Sequence, residues 1–196
     1  MNWDTHYRDV RAKKPFVWPD INVIRQISRL NLKPDALVLD LGCGEGRNIR
    51  ALLELGFRQV YGVDQSISAL EIVKSRYQLP QQQLLCGSVP DVLTPFSAQH
   101  FDMILCWGLM HYLKQPEVTL QAISHVLKSG ANLIISFSAK EDRRKTVDTV
   151  KSYYDENEIR QLIEHAGLTI QSIGKVTDEN FTDDRIESYY WLTAYK

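Results

Sequence analysis

Val38 to Asn48 read Val-Leu-Asp-Leu-Gly-Cys-Gly-Glu-Gly-Arg-Asn, an apolar strand that runs into a glycine-rich turn and then into the start of a helix. Glycines at positions 42, 44 and 46 let the backbone pass close to a ligand, because no Cβ blocks the approach and positive φ angles cost little. Asp40 closes the strand just before this turn. A carboxylate beside bare N–H groups suits a ligand that carries ammonium or hydroxyl groups, whereas it repels a pyrophosphate. The stretch therefore argues against a site for NAD.

The spacing of the glycines supports the same conclusion. A dinucleotide fingerprint has the pattern Gly-x-Gly-x-x-Gly, whose third glycine would fall at Arg47, whereas Gly46 comes one residue early. The stretch resembles instead the cofactor loop of class I S-adenosylmethionine-dependent methyltransferases, and the order of the predicted elements resembles that family almost end to end. This resemblance implies S-adenosyl-L-methionine as the cofactor.

Strand and helix patterns alternate along most of the chain, which predicts an α/β fold with a parallel sheet covered on both faces. The predicted strands span residues 36–41, 59–63, 82–86, 101–107, 132–137, 168–175 and 186–195, and the predicted helices span residues 20–30, 47–55, 66–77, 117–127 and 155–166. Asp20 is the expected cap of the first helix, and Asp155 with Glu158 forms an expected capping box. Gly130 is expected to stop the helix at 117–127. The resemblance implies a Rossmann-like, doubly wound sheet of seven mostly parallel strands, with the last strand antiparallel.

Size, composition and charge limit the remaining possibilities. With 196 residues, we expect residues 1–196 to form one domain. The resemblance implies that residues 1–31 are an N-terminal arm and helix that cover the cofactor. The N-terminus is too polar for a signal peptide and no apolar run reaches membrane length, so we expect a cytoplasmic protein with no membrane partner. The near-neutral charge argues against a nucleic acid partner. The three cysteines lack metal-site spacing, so no metal is expected.

Asp64 is the strongest candidate for binding the cofactor's ribose. It ends the second predicted strand, about twenty residues beyond the glycine loop, as in nucleotide-binding α/β folds. Its carboxylate could accept two hydrogen bonds from a ribose diol. The alternative is that Asp64 caps the helix that starts at Ser66. The resemblance places Gln65 and Ile67 against the adenine.

The chain departs from the family's pattern after the third strand, where many relatives have an aspartate that accepts from the adenine amino group. Here Ser88 falls at that position, Asp91 follows a few residues on, and backbone alone is a third possibility. After the fourth strand the resemblance places Cys106 and Trp107 beside the methionine part of the cofactor. The complete set of predicted cofactor-binding residues is Asp40, Gly42, Cys43, Gly44, Gly46, Asn48, Asp64, Gln65, Ser66, Ser88, Val89, Cys106 and Trp107.

Two histidines are candidates for the catalytic base. His111 follows the fourth strand, and a histidine, with an ordinary pKa of about 6.5, can accept a proton at neutral pH. The alternative for His111 is structural packing at the start of the next helix. His6 shares an aromatic face with Trp3 and Tyr7 at helical spacing, and this segment either folds over the cofactor or packs at the edge of the domain.

These observations predict a methyltransferase that moves a methyl group from S-adenosylmethionine to an oxygen or nitrogen of a small-molecule acceptor. One alternative keeps the fold and changes the acceptor to RNA or protein, for which phosphate contacts would need clustered Lys and Arg. A second alternative is a module that binds S-adenosylmethionine without catalysis. The sequence identifies neither the acceptor nor the oligomeric state.

Overall fold

The computed structural model describes residues 2–11, 17–140, 152–180 and 185–196. Within these ranges the strands form one seven-stranded sheet in the order β3-β2-β1-β4-β5-β7-β6. Strands β1 to β5 pair in parallel, and β7 runs antiparallel to both of its neighbours. The strands are β1 (Leu37–Leu41), β2 (Gln59–Asp64), β3 (Leu84–Cys86), β4 (Phe101–Cys106), β5 (Leu127–Ser138), β6 (Thr169–Asn180) and β7 (Arg185–Tyr195). The predicted fold class is confirmed.

Helices connect and cover the strands. They are α1 (Ile21–Ile27), α2 (Arg47–Glu54), α3 (Ile67–Tyr77), α4 (Pro116–Val126) and α5 (Glu156–His165), with short 3₁₀ turns at Gln81–Gln83, Asp91–Leu93 and Met110–Tyr112. Before them lies an N-terminal segment, residues 2–11, which is α-helical over Trp3–Thr5 and continues as a π-helix over His6–Arg11. No helix in the described part of the chain has the length and apolar character needed to cross a bilayer.

Local capping signals place several helix ends. The side chain of Asp20 accepts a hydrogen bond from the backbone N–H of Asn22 at 2.8 Å, which caps α1 as predicted. Asp155 and Glu158 form the predicted capping box, with bonds of 2.8 and 3.0 Å. Such caps bond to N–H groups that have no partner inside the helix. They can be predicted from the sequence because the capping residue and the N–H that it binds lie within one helical turn.

The prediction that Gly130 stops a helix is wrong. Helix α4 ends at Val126 and β5 begins at the next residue, so Gly130 lies inside the strand, where its N–H donates to the carbonyl of Lys196 at 2.9 Å. The chain starts a strand here because β4 and β7 offer hydrogen bonds to its backbone. A helix that continued to Gly130 would lose those bonds. The third strand is shorter than predicted, since Gln81–Gln83 form a 3₁₀ turn.

The position of β1 explains where a ligand site can form. Asp40 pairs with Gly62 of β2 on one side and with Leu105 of β4 on the other. The connections leave β1 and β4 toward opposite halves of the sheet, so a crevice opens outside the carboxyl ends of these strands. Two apolar clusters pack on the sheet and extend to Cys43 and Trp107 in the turns at this edge, beside the buried carboxylates of Asp40 and Asp64.

A candidate cofactor and methyl-transfer site

The glycine turn has the backbone that the sequence predicts. Gly42, Gly44 and Gly46 have φ angles of +76°, +52° and +85°, and the N–H groups of Gly42 and Cys43 both donate to the carbonyl of Val63. Side chains lie directly on two of these glycines: an ideal Cβ on Gly44 would lie 2.5 Å from the Tyr7 hydroxyl, and one on Gly46 would lie 2.7 Å from the Tyr77 ring. Any other residue at these positions would be strained and would collide with its neighbours.

Asp40 is the most unusual group at this edge. Its side chain is 0% exposed, and neither carboxylate oxygen has a hydrogen-bond partner among the described residues. Burial raises the pKa of Asp40 to about 7, although the nearby Asn48 amide and Arg47 charge both lower it. Asn48 is close enough to affect this pKa but lies outside hydrogen-bonding geometry, and its own Oδ1 is also buried without a partner. A buried carboxylate of this kind needs a cation or a donor to ionise, which an ammonium group supplies.

Asp64 ties the glycine turn to the start of α3. One carboxylate oxygen accepts from the N–H of Gly44 and the other from the N–H of Ser66, each at 2.9 Å. Burial raises the pKa of Asp64, and these backbone donors oppose the shift. Ser66, whose Oγ accepts from the N–H of Ala69, is the residue that caps α3, so the alternative that Asp64 is the cap is wrong. Each oxygen of Asp64 keeps a further lone pair for a ligand hydroxyl.

The N-terminal segment lies over the same edge of the sheet. Tyr7 rests on Gly44, and the Trp3 ring meets the Tyr112 ring edge to face, with centroids 4.8 Å apart. The segment therefore spans from the glycine turn to the turn that follows β4. The segment thus packs against the glycine turn and the turn after β4, and that it covers a bound cofactor stays a prediction.

The two candidate histidines belong to one aromatic group. His111, in the 3₁₀ turn after β4, is buried, and its ring centroid lies 4.1 Å from that of Tyr112. His6 contacts Trp3, with centroids 5.6 Å apart, and Trp3 in turn contacts Tyr112. Two segments that are far apart in the chain thus meet through their aromatic rings. The backbone carbonyl of His111 also accepts from the N–H of Ser152 at 3.2 Å, which fixes the backbone of this turn.

The turn after β4 forms the opposite wall. Cys106 and Trp107 are buried, and the Trp107 ring meets the Tyr189 ring at a centroid distance of 5.9 Å. The N–H of Gly108 donates to the Ser136 hydroxyl at 2.9 Å, which fixes this turn on β5. Burial raises the pKa of the Cys106 thiol above its usual value, as it does for Cys43, so both thiols act as small apolar groups and not as nucleophiles.

The residues predicted to contact adenine lie near Asp64, in the segments that follow β2 and β3. The N–H of Gly87, just after β3, donates to the backbone carbonyl of Asp64 at 3.0 Å. Gln65 and Ser88 are exposed, and Val89 is half-buried against the core. The structure thus brings this group and the glycine turn together around Asp64. Sequence reasoning missed Asp4, which bonds to Ser66 and Ser68, because nothing local to Asp4 indicates a partner more than sixty positions away.

Comparisons with known proteins agree with this geometry. A family described as "Methyltransferase domain" matches residues 39–135. The ubiquinone biosynthesis O-methyltransferase of Coxiella burnetii is 35% identical over 103 residues, covering 50% of this chain and 42% of that protein. The probable tRNA methyltransferase 9B of Mus musculus is 26% identical over 147 residues, covering 74% of this chain and 29% of that protein. The chain thus spans less than half the length of these curated relatives.

A solved structure has the same fold. The complex between the Haloferax volcanii Trm112 methyltransferase activator and the putative methyltransferase gives a TM-score of 0.76 with 19% identity, covering 99% of this chain and 97% of that chain. With its glycine turn, its strand order and the match to residues 39–135, this chain belongs to the class I S-adenosylmethionine-dependent methyltransferases, a family whose cofactor is S-adenosylmethionine.

Proposed function

We propose that this protein transfers a methyl group from S-adenosylmethionine to an oxygen or nitrogen of a small-molecule acceptor. The observation that carries the cofactor part of the proposal is Asp40, a fully buried carboxylate without a described partner at the crevice between β1 and β4. The ionised form of such a group is unfavourable unless a cation bonds to it directly. The methionine end of S-adenosylmethionine carries an ammonium group, which is the chemistry that Asp40 lacks. The near-neutral net charge supports a small-molecule acceptor over RNA.

The other predicted residues fit the rest of this cofactor. Asp64 has the lone pairs to accept from a ribose diol, next to the glycine turn. Ser88 and Gln65 lie beyond Asp64, where the adenine would extend. The turn with Cys106 and Trp107 would flank the methionine part on the side of β4.

The chain's own contribution to the reaction would be positioning and proton removal. When bound, S-adenosylmethionine supplies an electrophilic methyl group on a positively charged sulfur. The crevice would hold the acceptor in line with the methyl carbon and the sulfur, and such alignment can contribute several kcal/mol. His111 would take the proton that a hydroxyl or amine acceptor loses, with His6 as the second candidate. Trp3 and Tyr112 would exclude water, and their ring faces suit a cation.

Calorimetry with S-adenosylhomocysteine, the product form of the cofactor, tests the cofactor part of the proposal. We expect micromolar binding, about −8 kcal/mol, and no binding of NADH. Binding of NADH without binding of S-adenosylhomocysteine would contradict the proposal.

A second experiment tests the acceptor class. The protein is incubated with S-adenosylmethionine carrying a labelled methyl group, in parallel with a metabolite extract and with a total tRNA preparation. We expect a labelled small molecule. Label in the tRNA alone would favour an RNA acceptor, a class to which the mouse relative's name points. Cofactor binding without label in either would favour a non-catalytic module.

A further inference from the structure

We propose that Asp4 is a positioning residue for the cofactor: through Ser66 it holds the Asp64 carboxylate in place, so that the N-terminal segment closes as part of the ribose site. This inference rests on the proposed function, because it assumes that Asp64 binds the ribose. Asp4 itself would touch no cofactor atom.

The contacts of Asp4 cross from the N-terminal segment to the start of α3. Its Oδ1 accepts from the Ser66 hydroxyl at 3.0 Å and from the Ser68 N–H at 2.9 Å. These two bonds lower the pKa of Asp4, so it is ionised at neutral pH. The first N–H groups of a helix lack partners within the helix and carry partial positive charge, so α3 attracts this carboxylate.

Ser66 links Asp4 to Asp64. Its hydroxyl donates to Asp4 and accepts from the N–H of Ala69, while its own N–H donates to Asp64. Ser66 is completely buried, so its hydroxyl proton needs an acceptor within the protein. Asp4 is that acceptor. A shift of Ser66 would therefore move one of the two backbone donors that orient Asp64.

The second backbone donor to Asp64 is also covered by the N-terminal segment. Gly44 donates to Asp64 Oδ2, and the Tyr7 hydroxyl lies against Gly44. The segment thus contacts both residues that hold the carboxylate, one through Asp4 and one through Tyr7. Because closure of the segment and the geometry of Asp64 depend on the same contacts, each should strengthen the other, and a ligand on Asp64 should stabilise the closed segment.

The experiment compares Asp4→Ala with Asp9→Ala. Asp9 is the matched control, since it lies in the same segment, is exposed and forms an ion pair with Arg8 instead of bonding to α3. By calorimetry we expect S-adenosylhomocysteine to bind Asp4→Ala about tenfold more weakly than the wild type, as for loss of charge-assisted hydrogen bonds, and to bind Asp9→Ala within about twofold. Equal affinity in the wild type and Asp4→Ala would overturn the inference.

Two further measurements separate positioning from a merely structural role. Hydrogen exchange of residues 2–11 should slow when S-adenosylhomocysteine is added to the wild type and Asp9→Ala, but not when it is added to Asp4→Ala. In a Ser66→Ala background, Asp4→Ala should cause a smaller loss of affinity than in the wild type, because the bond through the Ser66 hydroxyl is already gone and only the bond to the Ser68 N–H remains to be lost. Additive losses, or ligand protection that persists in Asp4→Ala, would overturn the inference. If Asp4→Ala does not fold, as judged by thermal melting, the isosteric Asp4→Asn replaces it.

The result for the wild type distinguishes the two failures. A wild type that does not bind S-adenosylhomocysteine would overturn the proposed function, and the inference with it. A wild type that binds, beside an Asp4→Ala variant that binds equally well, would overturn the inference alone.

Discussion

The carboxyl edge of β1 and β2 and the hairpin of β6 and β7 belong to one sheet, but they satisfy their polar side chains differently. In the hairpin, the hydroxyls of Ser172 and Thr193 bond across the strands at 2.6 Å, and those of Thr177 and Ser188 at 3.1 Å. At the edge, Asp40 is as buried as Ser188 and Thr193 but has no described partner. Folded proteins satisfy nearly all buried polar groups, and the proposed ammonium ligand would give Asp40 the partner that the hairpin hydroxyls already have.

The largest effect should come from Asp40→Asn. The pKa of Asp40 is about 7 in the folded protein and 3.8 in its usual state, so between these values the folded state binds more protons than the unfolded state. The free energy of unfolding should therefore fall as pH rises from about 4 to about 7, by about 4 kcal/mol in total. Denaturant titrations across this range should show this fall in the wild type, and a much flatter profile in Asp40→Asn.

The same substitution tests what the edge is for. An ammonium ligand favours ionised Asp40, so affinity of the wild type for S-adenosylhomocysteine should rise as pH increases from about 5 to about 8. In Asp40→Asn the affinity should be low and nearly independent of pH. If the variant loses stability at the upper end of this range and keeps its affinity, Asp40 is a structural group like those of the hairpin.

The next effect concerns turnover and not stability. His111→Ala should lower kcat about a hundredfold, because it removes the proposed base at the end of β4. His6→Ala should mainly raise KM, with a smaller effect on kcat, because His6 lies on the covering segment. Steady-state kinetics with the acceptor found by methyl labelling measures both. Normal kcat in His111→Ala with a collapse in His6→Ala would move the base to the N-terminal segment, and normal kcat in both would favour catalysis by positioning alone.

In the hairpin, a substitution should change stability without changing ligand affinity, and Gly174→Ala tests this. A Cβ on Gly174 would lie 2.6 Å from Cε2 and 2.8 Å from Nε1 of Trp191, its cross-strand partner. The indole must then move, and overpacking of this kind costs about 2 kcal/mol of unfolding free energy. Chemical denaturation should show this loss, while calorimetry should show unchanged affinity for S-adenosylhomocysteine. Gly56→Ala is a useful control for strain without collision, since a Cβ there meets no atom within 4 Å but the φ angle is +92°.

The same contrast explains what can be predicted from the sequence. The caps by Asp20 and by Asp155 with Glu158 are local patterns, and the glycine turn after β1 is recognisable because its backbone needs are unusual. The start of β5 at Leu127 is not recognisable in this way, because pairing with distant strands decides it and not the glycine three residues on.

Within the candidate site, the residues that follow strand ends are predictable from topology alone. Parallel strands bring their carboxyl ends to one edge, so the order of strands and helices along the chain is enough to place Asp40, Asp64 and Trp107 there. The contacts of Asp4 and Tyr7 with α3 and the glycine turn are not predictable, since they depend on how the N-terminal segment packs. Periodicity can indicate that such a segment has a face, but it does not indicate which surface the face meets.

The smallest effect provides the sharpest form of the comparison. Thr193 is buried, so Ser172→Ala should leave its hydroxyl without a partner and cost about 1 kcal/mol of unfolding free energy. Replacing both hydroxyls, in Ser172→Ala with Thr193→Val, should recover much of that loss, because apolar groups of similar shape need no partner. A double-mutant cycle by urea denaturation measures this coupling at a satisfied pair. At Asp40 a single neutralising substitution should already stabilise the protein above the pKa of that carboxyl, since no partner is lost. If Asp40→Asn instead costs stability there, as Ser172→Ala should, then Asp40 is a satisfied group and the contrast between the two regions fails.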